Sequence, residues 1–463
     1  MYFPDNDRRR AQLMASLTNG LVLHVPESGK YRWWDRSRWA DADIDTVEMP
    51  LYDQMIHTLD QLVRDEADPE RRIKMRAETQ RAEQANRIRE TRGLFRSLPQ
   101  VRKSQAEFDN HHDLVVCQNG TYNLPLDAFY PTYPGDYPSR TFGVAYDPDA
   151  SCPEWKRFIS EATAGTRGLK LFLQMATGYL LPGGNPLHKM LIVFGPTGTG
   201  KSTYIEVLRE LFGGLAEISS ITTFTNTSSS KNALAAIHQA RLVIVDENDG
   251  EESGLVSGAM VKGATGSRHL KARYLYHDEF EFEVAFKVVN ATNELPSFRV
   301  LDDALKRRLI LIPFQNVVPD DLRDSGLQDR LIAELPGILN WAIEGWRLVR
   351  NHGLRMPLSL QQLLHEYSLN YNSIERFLRS ACIRTEGSEI SSTELYQSYR
   401  TYCKAQGEGS PMKHKSFAMR VEKAGIQKYR GRSGVRFTGI SLRDPYQLAD
   451  EWGVLPEDIE GGS

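Results

Sequence analysis

The sequence has few cysteines, no long apolar run and almost no net charge, and each shortage excludes a class of protein. The four cysteines (Cys117, Cys152, Cys382 and Cys403) form no C-x-x-C pair. We therefore expect neither a disulfide scaffold nor a structural zinc site, and we expect a reducing compartment. The longest apolar stretch, residues 169–181, is interrupted by polar residues and is shorter than the ~20 residues that cross a bilayer. With no apolar segment after the charged N-terminus, we expect a cytoplasmic protein without contact to a membrane.

The charge balance also limits how the chain could hold a nucleic acid. It contains 57 Lys and Arg against 60 Asp and Glu, a formal net charge of −3. Overall charge therefore cannot attract a polyanion, and any nucleic-acid surface must be a local basic patch. The 40% of hydrophobic and 25% of charged residues are usual for a globular protein. A length of 463 residues predicts about three domains.

A glycine-rich segment carries the clearest chemical signal. Residues 195–202 read G-P-T-G-T-G-K-S between an apolar run at 190–194 and a predicted helix at 203–211. This is the pattern and the context of a phosphate-binding loop, in which backbone N–H groups and a helix N-terminus surround an anion. We predict a site for ATP and Mg²⁺ formed by Gly195, Pro196, Thr197, Gly198, Thr199, Gly200, Lys201, Ser202 and Thr203. Lys201 would contact the β- and γ-phosphates, and the Ser202 hydroxyl would be a Mg²⁺ ligand.

Two further apolar runs end in polar residues that suit the same chemistry. Residues 241–247 read R-L-V-I-V-D-E, and residues 287–296 read K-V-V-N-A-T-N-E-L-P. Ligands of open parallel sheets bind at the carboxyl ends of the strands. Asp246 is predicted to hold Mg²⁺ through water, and Glu247 to act as general base on the attacking water. Asn293 is the first candidate, and Asn290 the second, for an amide that contacts the γ-phosphate and orients water; capping of a turn is the alternative for both.

Residues 261–286, between these two runs, concentrate positive charge in their first half. The DNA-binding candidates here are Lys262, Arg268, His269, Lys271 and Arg273. They suit a loop that grips a nucleic-acid backbone, and the alternative is a surface hairpin without a partner.

A pair of arginines precedes the last apolar run of this region. Residues 302–309 read D-D-A-L-K-R-R-L and contain Arg307 and Arg308. An arginine at a subunit edge can stabilise the charge that develops on a neighbour's γ-phosphate during hydrolysis. The alternative is a buried structural partner for one of the nearby aspartates, and the sequence does not distinguish the two arginines.

The spacing of the apolar runs predicts the fold. Runs at 190–194, 242–245, 284–289 and 309–312 are separated by helical stretches, which is typical of a mostly parallel sheet in an α/β protein. Residues 1–106 are predicted to be an α-rich region with a small β part, in which 69–97 forms a solvated, charged helix. A helical stretch is predicted at 322–350, and the acidic tail at 444–463 is expected to be loosely ordered.

The order of these motifs resembles a superfamily III helicase, specifically the phage/plasmid and poxvirus-type primase–helicase family. Upstream, Phe108-Asp109, Asn119-Gly120 and Y-D-P-D-A at 146–150 match the helical domain, here 107–184, that precedes the ATPase of that family. The resemblance covers about 108–443. It implies an AAA+ ATPase core at 185–350 and a homo-hexameric ring that moves 3′→5′ on single-stranded or forked DNA. It also implies a role in replication of a phage, plasmid or other mobile element in a bacterial host.

The resemblance assigns roles position by position. Lys201 and Ser202 correspond to the phosphate loop, and Asp246 and Glu247 to the metal and base carboxylates. Asn293 corresponds to the sensor, and Arg307 or Arg308 to the arginine finger. Lys262 and residues 265–273 correspond to the DNA-gripping loop, although Ser267-Arg268 stands where family members often carry Gly-Asp.

The C-terminal part, 356–443, resembles the winged-helix module that often ends these proteins. Lys413 and Lys415 on a predicted helix, and Arg430 and Arg432 on a predicted hairpin, would contact DNA phosphates. A winged helix that docks protein is the alternative. About 100 residues precede Phe108, too few for a polymerase-type primase, so we expect a separate primase or polymerase to make primers. The alternative functions are an ATP-switched DNA-binding initiator without processive unwinding and, more distantly, an AAA+ ATPase that acts on protein.

Overall fold

The computed structural model of the chain describes residues 3–224, 229–246, 256–267, 269–273, 278–296, 298, 301–370, 373–406, 411–431, 434–453 and 459. None of the helices formed by these residues is both long and apolar enough to span a membrane. The predicted α/β architecture with a parallel sheet is confirmed.

The N-terminal region combines four helices with a small antiparallel sheet. Its elements are α1 (Asp7–Leu17), β1 (Val22–Val25), β2 (Lys30–Trp34), β3 (Trp39–Ala42), α2 (Ile44–Asp65), α3 (Pro69–Ala82) and α4 (Ala85–Ser97). The segment predicted as one charged helix is two helices, α3 and α4. A turn between them lets both bury a face in this region, with Ala82 at the end of α3 and Phe95 near the end of α4 fully buried.

A buried carboxylate connects three elements of this region. Glu48 of α2 is fully buried and accepts a hydrogen bond from the Tyr31 hydroxyl at 2.7 Å. Arg92 and Arg96 of α4 also donate to it, the latter through Nη2 at 2.8 Å. Burial opposes ionisation of Glu48, but the hydrogen bonds from Arg96, Tyr31 and Arg92 outweigh it and hold its pKa below the usual value.

The next region is mixed rather than purely helical. It contains β4 (Leu114–Cys117), β5 (Gly120–Asn123) and β6 (Ala128–Tyr130), followed by α5 (Pro153–Ala162) and α6 (Arg167–Leu180). The three strands form an antiparallel sheet, and α6 packs along a later helix, α12 (Leu335–His352).

The central region is built on a five-stranded parallel sheet. Its elements are β7 (Met190–Phe194), α7 (Lys201–Phe212), β8 (Ala216–Ser219), α8 (Ser229–Ile237), β9 (Leu242–Asp246), α9 (Gly258–Gly266), β10 (His269–Arg273), β11 (Glu279–Glu283), β12 (Lys287–Thr292), α10 (Asp303–Lys306), β13 (Leu309–Pro313), α11 (Leu327–Ala333) and α12. The strand order is β13-β7-β12-β9-β8. In register, Val288 of β12 lies opposite Met190 of β7 and Val243 of β9. The central strand β12 therefore lies between the strand that precedes the phosphate loop and the strand that ends in Asp246.

Two buried cations join the amino end of this sheet to the region before it. The ammonium of Lys287, the first residue of β12, donates to the Pro182 carbonyl at 2.5 Å. Arg241, which precedes β9, donates through Nη1 to the Leu114 carbonyl at 2.6 Å and to the Leu181 carbonyl at 3.3 Å. Burial, together with nearby Arg241, lowers the pKa of Lys287 well below its usual value.

The C-terminal region has its own hydrophobic core. Its elements are α13 (Leu358–Asn370), α14 (Ser373–Ala381), β14 (Cys382–Ile383), β15 (Glu389–Ser391), α15 (Ser392–Ala405), α16 (His414–Lys423), β16 (Gln427–Gly431), β17 (Gly434–Thr438), β18 (Ser441–Leu442) and α17 (Pro445–Trp452). The expectation of a loosely ordered tail is wrong for α17. The Asp444 side chain caps this helix and Pro445 begins it, while Leu448 and Trp452 are buried in the regional core.

Candidate functional site

The carboxyl ends of β7, β12 and β9 meet at one cavity, because these three strands are neighbours in the sheet. The cavity has a volume of about 230 Å³ and is lined by Thr197, Gly198, Gly200, Lys201, Ser202, Thr203, Asp246, Ala291, Thr292, Asn293 and Arg323. The structure therefore brings together most of the predicted phosphate loop, the carboxylate Asp246 and the amide Asn293.

The loop conformation explains its glycines. Gly195, Gly198 and Gly200 have φ values of 150°, 82° and 88°, which side-chain-bearing residues rarely adopt. A Cβ on Gly195 would lie 1.8 Å from the Phe314 carbonyl oxygen, and one on Gly200 would lie 2.8 Å from the Phe158 ring. The chain can therefore turn from β7 into α7 at this place only with glycines in these positions.

Burial disfavours the charged forms of Lys201 and Asp246 in the cavity. The Lys201 ammonium donates to the carbonyls of Gly195 and Pro196, at 2.7 and 2.8 Å. Burial lowers the pKa of Lys201, opposed by the charge of Asp246. Burial and the charge of Glu206 raise the pKa of Asp246, opposed by Lys201. A phosphate beside the ammonium and a divalent cation beside the carboxylate would stabilise both charged forms, and the Ser202 hydroxyl adds a hard oxygen donor of the type Mg²⁺ takes. These residues therefore fit Mg²⁺ and a polyphosphate.

The two candidate amides lie in different places. Asn293 follows β12 and lines the cavity. Asn290 is fully buried within β12 and does not line it, and its amide atoms have no hydrogen-bond partner in the described part of the chain. The geometry favours Asn293 over Asn290 as the amide near a bound phosphate.

Arg307 and Arg308 precede β13 and so lie at the amino end of the sheet, opposite the cavity. Arg307 is exposed. The Arg308 guanidinium donates to the Ala304 carbonyl at 2.5 Å. Asp302 forms its ion pair with Lys262, at 2.5 Å, rather than with either arginine. Within the chain, neither arginine reaches the cavity.

The candidate DNA-gripping segment forms an antiparallel hairpin whose charges are balanced. His269, Lys271 and Arg273 of β10 lie directly opposite Glu283, Glu281 and Glu279 of β11. All six side chains are exposed on the same face. The predicted concentration of positive charge is therefore matched, strand against strand, by a row of carboxylates that the pattern of basic residues alone does not reveal.

The remaining predicted residues are on the surface or outside the described part of the chain. Lys413, Lys415 and Arg430 are exposed on or beside α16 and β16. Glu247, Arg268 and Arg432 lie outside the described residues.

The predicted site residues did not include three residues of the cavity lining: Ala291 and Thr292 at the end of β12, and Arg323. Arg323 follows the last strand of the sheet, within the stretch predicted as helical, and α11 begins only at Leu327. No local motif marks Arg323, because it meets the phosphate loop only through the return of the chain after β13.

The fold and the cavity define a class first: an α/β protein whose parallel sheet carries a phosphate-loop-like core. Two family models match the chain. One, described as D5 N terminal like, matches residues 11–164, and the other, a family of unknown function (DUF5906), matches residues 193–308. The first match begins well before Phe108 and so includes most of the N-terminal region.

Viral proteins are among the similar sequences. The "Putative helicase L207/L206" of Acanthamoeba polyphaga mimivirus is 24% identical over 328 residues, covering 65% of this chain and 34% of that protein. The "Putative helicase 184R" of Invertebrate iridescent virus 6 is 25% identical over 239 residues, covering 48% of this chain and 24% of that protein. The chain thus spans a quarter to a third of the length of these relatives.

A solved structure shares the fold. The apo structure of the NrS-1 C terminal region (305–718) has a TM-score of 0.52 and 10% identity, and the match covers 93% of this chain and 99% of that one. The first family model and the viral relatives together support a D5-type helicase family, in agreement with the resemblance seen in the sequence.

Proposed function

We propose that the chain is an ATP-dependent DNA helicase or translocase that acts in the replication of a phage, plasmid or other mobile element. The observation that carries the proposal is the single cavity shared by Lys201, Asp246 and Asn293. A cation, a metal-binding carboxylate and an amide at adjoining strand ends are the groups that nucleoside triphosphate hydrolysis requires. The names of the viral relatives support a helicase rather than another ATPase.

Each group at the cavity has a role in this proposal. Lys201 holds the β- and γ-phosphates, and Ser202 with Asp246 holds Mg²⁺, which neutralises charge that develops on the phosphates. Asn293 orients the attacking water. Glu247, the residue after Asp246 in the sequence, accepts a proton from that water.

The arginines at the amino end of the sheet support assembly into a ring. Because Arg307 and Arg308 lie opposite the chain's own cavity, an arginine finger could act only on the site of an adjacent copy. Arg307 is the better candidate for the arginine finger because it is exposed, whereas the Arg308 guanidinium donates a hydrogen bond to the Ala304 carbonyl of its own chain. We infer a hexameric AAA+ ring, in line with the family, that moves 3′→5′ on single-stranded or forked DNA in the cytoplasm of a bacterial host.

DNA contact is proposed at two places. In the ring, the β10–β11 hairpin faces the single-stranded DNA. The carboxylates of Glu279, Glu281 and Glu283 weaken its binding to the DNA enough for release at each step. The C-terminal region is proposed to be a winged helix whose exposed Lys413, Lys415 and Arg430 contact duplex phosphates.

The test is unwinding of a forked duplex by the purified chain with ATP and Mg²⁺. We expect the unaltered chain to displace the strand. Lys201→Ala should abolish both strand displacement and ATP binding, whereas Glu247→Gln should abolish strand displacement but retain ATP binding. DNA binding and slow hydrolysis without displacement would support the alternative, an ATP-switched initiator. Absence of ATP binding by the unaltered chain would overturn both.

A further inference from the structure

The part of the chain that follows β13 lies across the phosphate loop. The backbone N–H of Val318 donates to the Gly198 carbonyl at 2.9 Å. Arg323 Nε donates in turn to the Val318 carbonyl at 3.3 Å. Two successive hydrogen bonds therefore link Arg323 to the middle of the loop.

The guanidinium itself lies against that loop. A Cβ placed on Gly198 would be only 2.4 Å from Arg323 Nη2. Arg323 also lines the cavity on which Lys201, Asp246 and Asn293 converge. The Arg323 side chain is exposed.

We propose that Arg323 is a second phosphate-binding cation, contributed by the same chain that supplies Lys201. The inference rests on the proposed ATP site and adds a residue that neither the loop motif nor the family pattern contains. A polyphosphate carries several negative charges, while Lys201 is the one lysine among the described residues that line the cavity. A planar guanidinium with several donors matches phosphate oxygens in a way that an ammonium does not.

The position of Arg323 also connects the phosphates to the helices outside the sheet. Arg323 lies just before α11, which packs against α7 of the phosphate loop and against α5. After α11, the Glu334 carboxylate accepts hydrogen bonds from the backbone N–H groups of Glu154 and Trp155, at 3.0 and 2.8 Å, in the first turn of α5. Phosphate binding by Arg323 would therefore fix the segment that leads from the nucleotide to the D5 N terminal-like region.

The experiment compares the affinity of Mg·ATP, ADP and adenosine for the full chain by isothermal titration calorimetry. We expect Arg323→Ala to raise the Kd for ATP about 10- to 100-fold, the effect of losing a hydrogen bond to a charged group. Adenosine binding should not change, and Arg323→Lys should recover part of the ATP affinity. The thermal midpoint without nucleotide should stay the same.

The matched control is Arg330→Ala. Arg330 is a neighbouring surface arginine that pairs with Asp324 and Glu154 and does not line the cavity, so its loss should leave the Kd for ATP unchanged. If the unaltered chain binds ATP and Arg323→Ala binds it equally well, the inference is wrong while the proposed function stands. A lowered thermal midpoint and an equal loss for ATP and adenosine would assign Arg323 a structural role instead. If the unaltered chain binds no ATP, the proposed function fails first.

Discussion

Replacing Glu48 with glutamine tests the buried carboxylate of the N-terminal region. Glutamine keeps the size of the side chain but removes the charge, and it presents an amide N–H₂ to the donors of Tyr31, Arg92 and Arg96. Removing one partner of a fully buried ion pair costs about 3–5 kcal/mol, and we expect about 3 kcal/mol or somewhat less here, because Arg92 and Arg96 are themselves partly exposed. That is a large fraction of the ~5–15 kcal/mol by which a typical domain is stable. We therefore expect Glu48→Gln to make this region open locally far more often.

Hydrogen exchange detected by mass spectrometry reads this opening directly from peptides of α2 and α4. The matched control is Asp45→Asn, which removes an exposed partner of Arg92 on the same helix and should change the opening free energy by less than about 1 kcal/mol. The pH dependence has a definite sign. Folding lowers the pKa of Glu48. The contribution of Glu48 to stability is therefore complete above its unfolded-state pKa of about 4.3, and it is lost as pH falls through its folded-state pKa. If the opening free energy of Glu48→Gln also stays within about 1 kcal/mol of that of the unaltered chain, as we expect for Asp45→Asn, the reasoning is wrong.

Two further predictions concern the site and the hairpin. In the proposed site, ATP binding requires a protonated Lys201 and an ionised Asp246. The affinity for ATP should therefore fall as pH rises through a Lys201 pKa below 10.5, and as pH falls through an Asp246 pKa above 3.8. The Kd measured across pH checks this, and a profile that is flat where these two groups titrate would contradict it. Glu281→Gln removes the carboxylate opposite Lys271 and should tighten binding of labelled single-stranded DNA by about two- to fivefold at low salt, roughly 0.5–1 kcal/mol, with no difference at high salt. Unchanged or weaker binding in fluorescence anisotropy would show that this face of the hairpin does not meet DNA.

Four of the five strands of the central sheet could be predicted because their burial is local information. The edge strand β8 was not predicted, since its residues are only partly buried and form no apolar run. The apolar runs before the phosphate loop and before Asp246 are buried on both faces, as continuous apolar runs of a parallel sheet should be. The strand before Asn293 was predicted three residues early, because Val284 and Phe286 are apolar and buried but lie in the segment that leads into β12. Burial alone does not separate a strand from a packed connection.

What could not be predicted depends on pairing between distant segments. The carboxylates opposite Lys271 become visible only with the register of the hairpin, and Arg323 only with the return of the chain over Gly198. The division of residues 69–97 into α3 and α4 depends on where Ala82 and Phe95 find a core to enter. In each case the deciding partner is far away in the sequence, and no local pattern encodes it.

Lys287 and Arg241 set a lower limit on the smallest unit that can fold. A fragment that began at residue 185 would keep both cations but lose the carbonyl oxygens of Pro182, Leu181 and Leu114 that solvate them. The amino end of the strands that lead to Asp246 and Asn293 would then lose the contacts that hold it against the region before it. We therefore expect a stable form of the central region to need the residues from Leu114 onward.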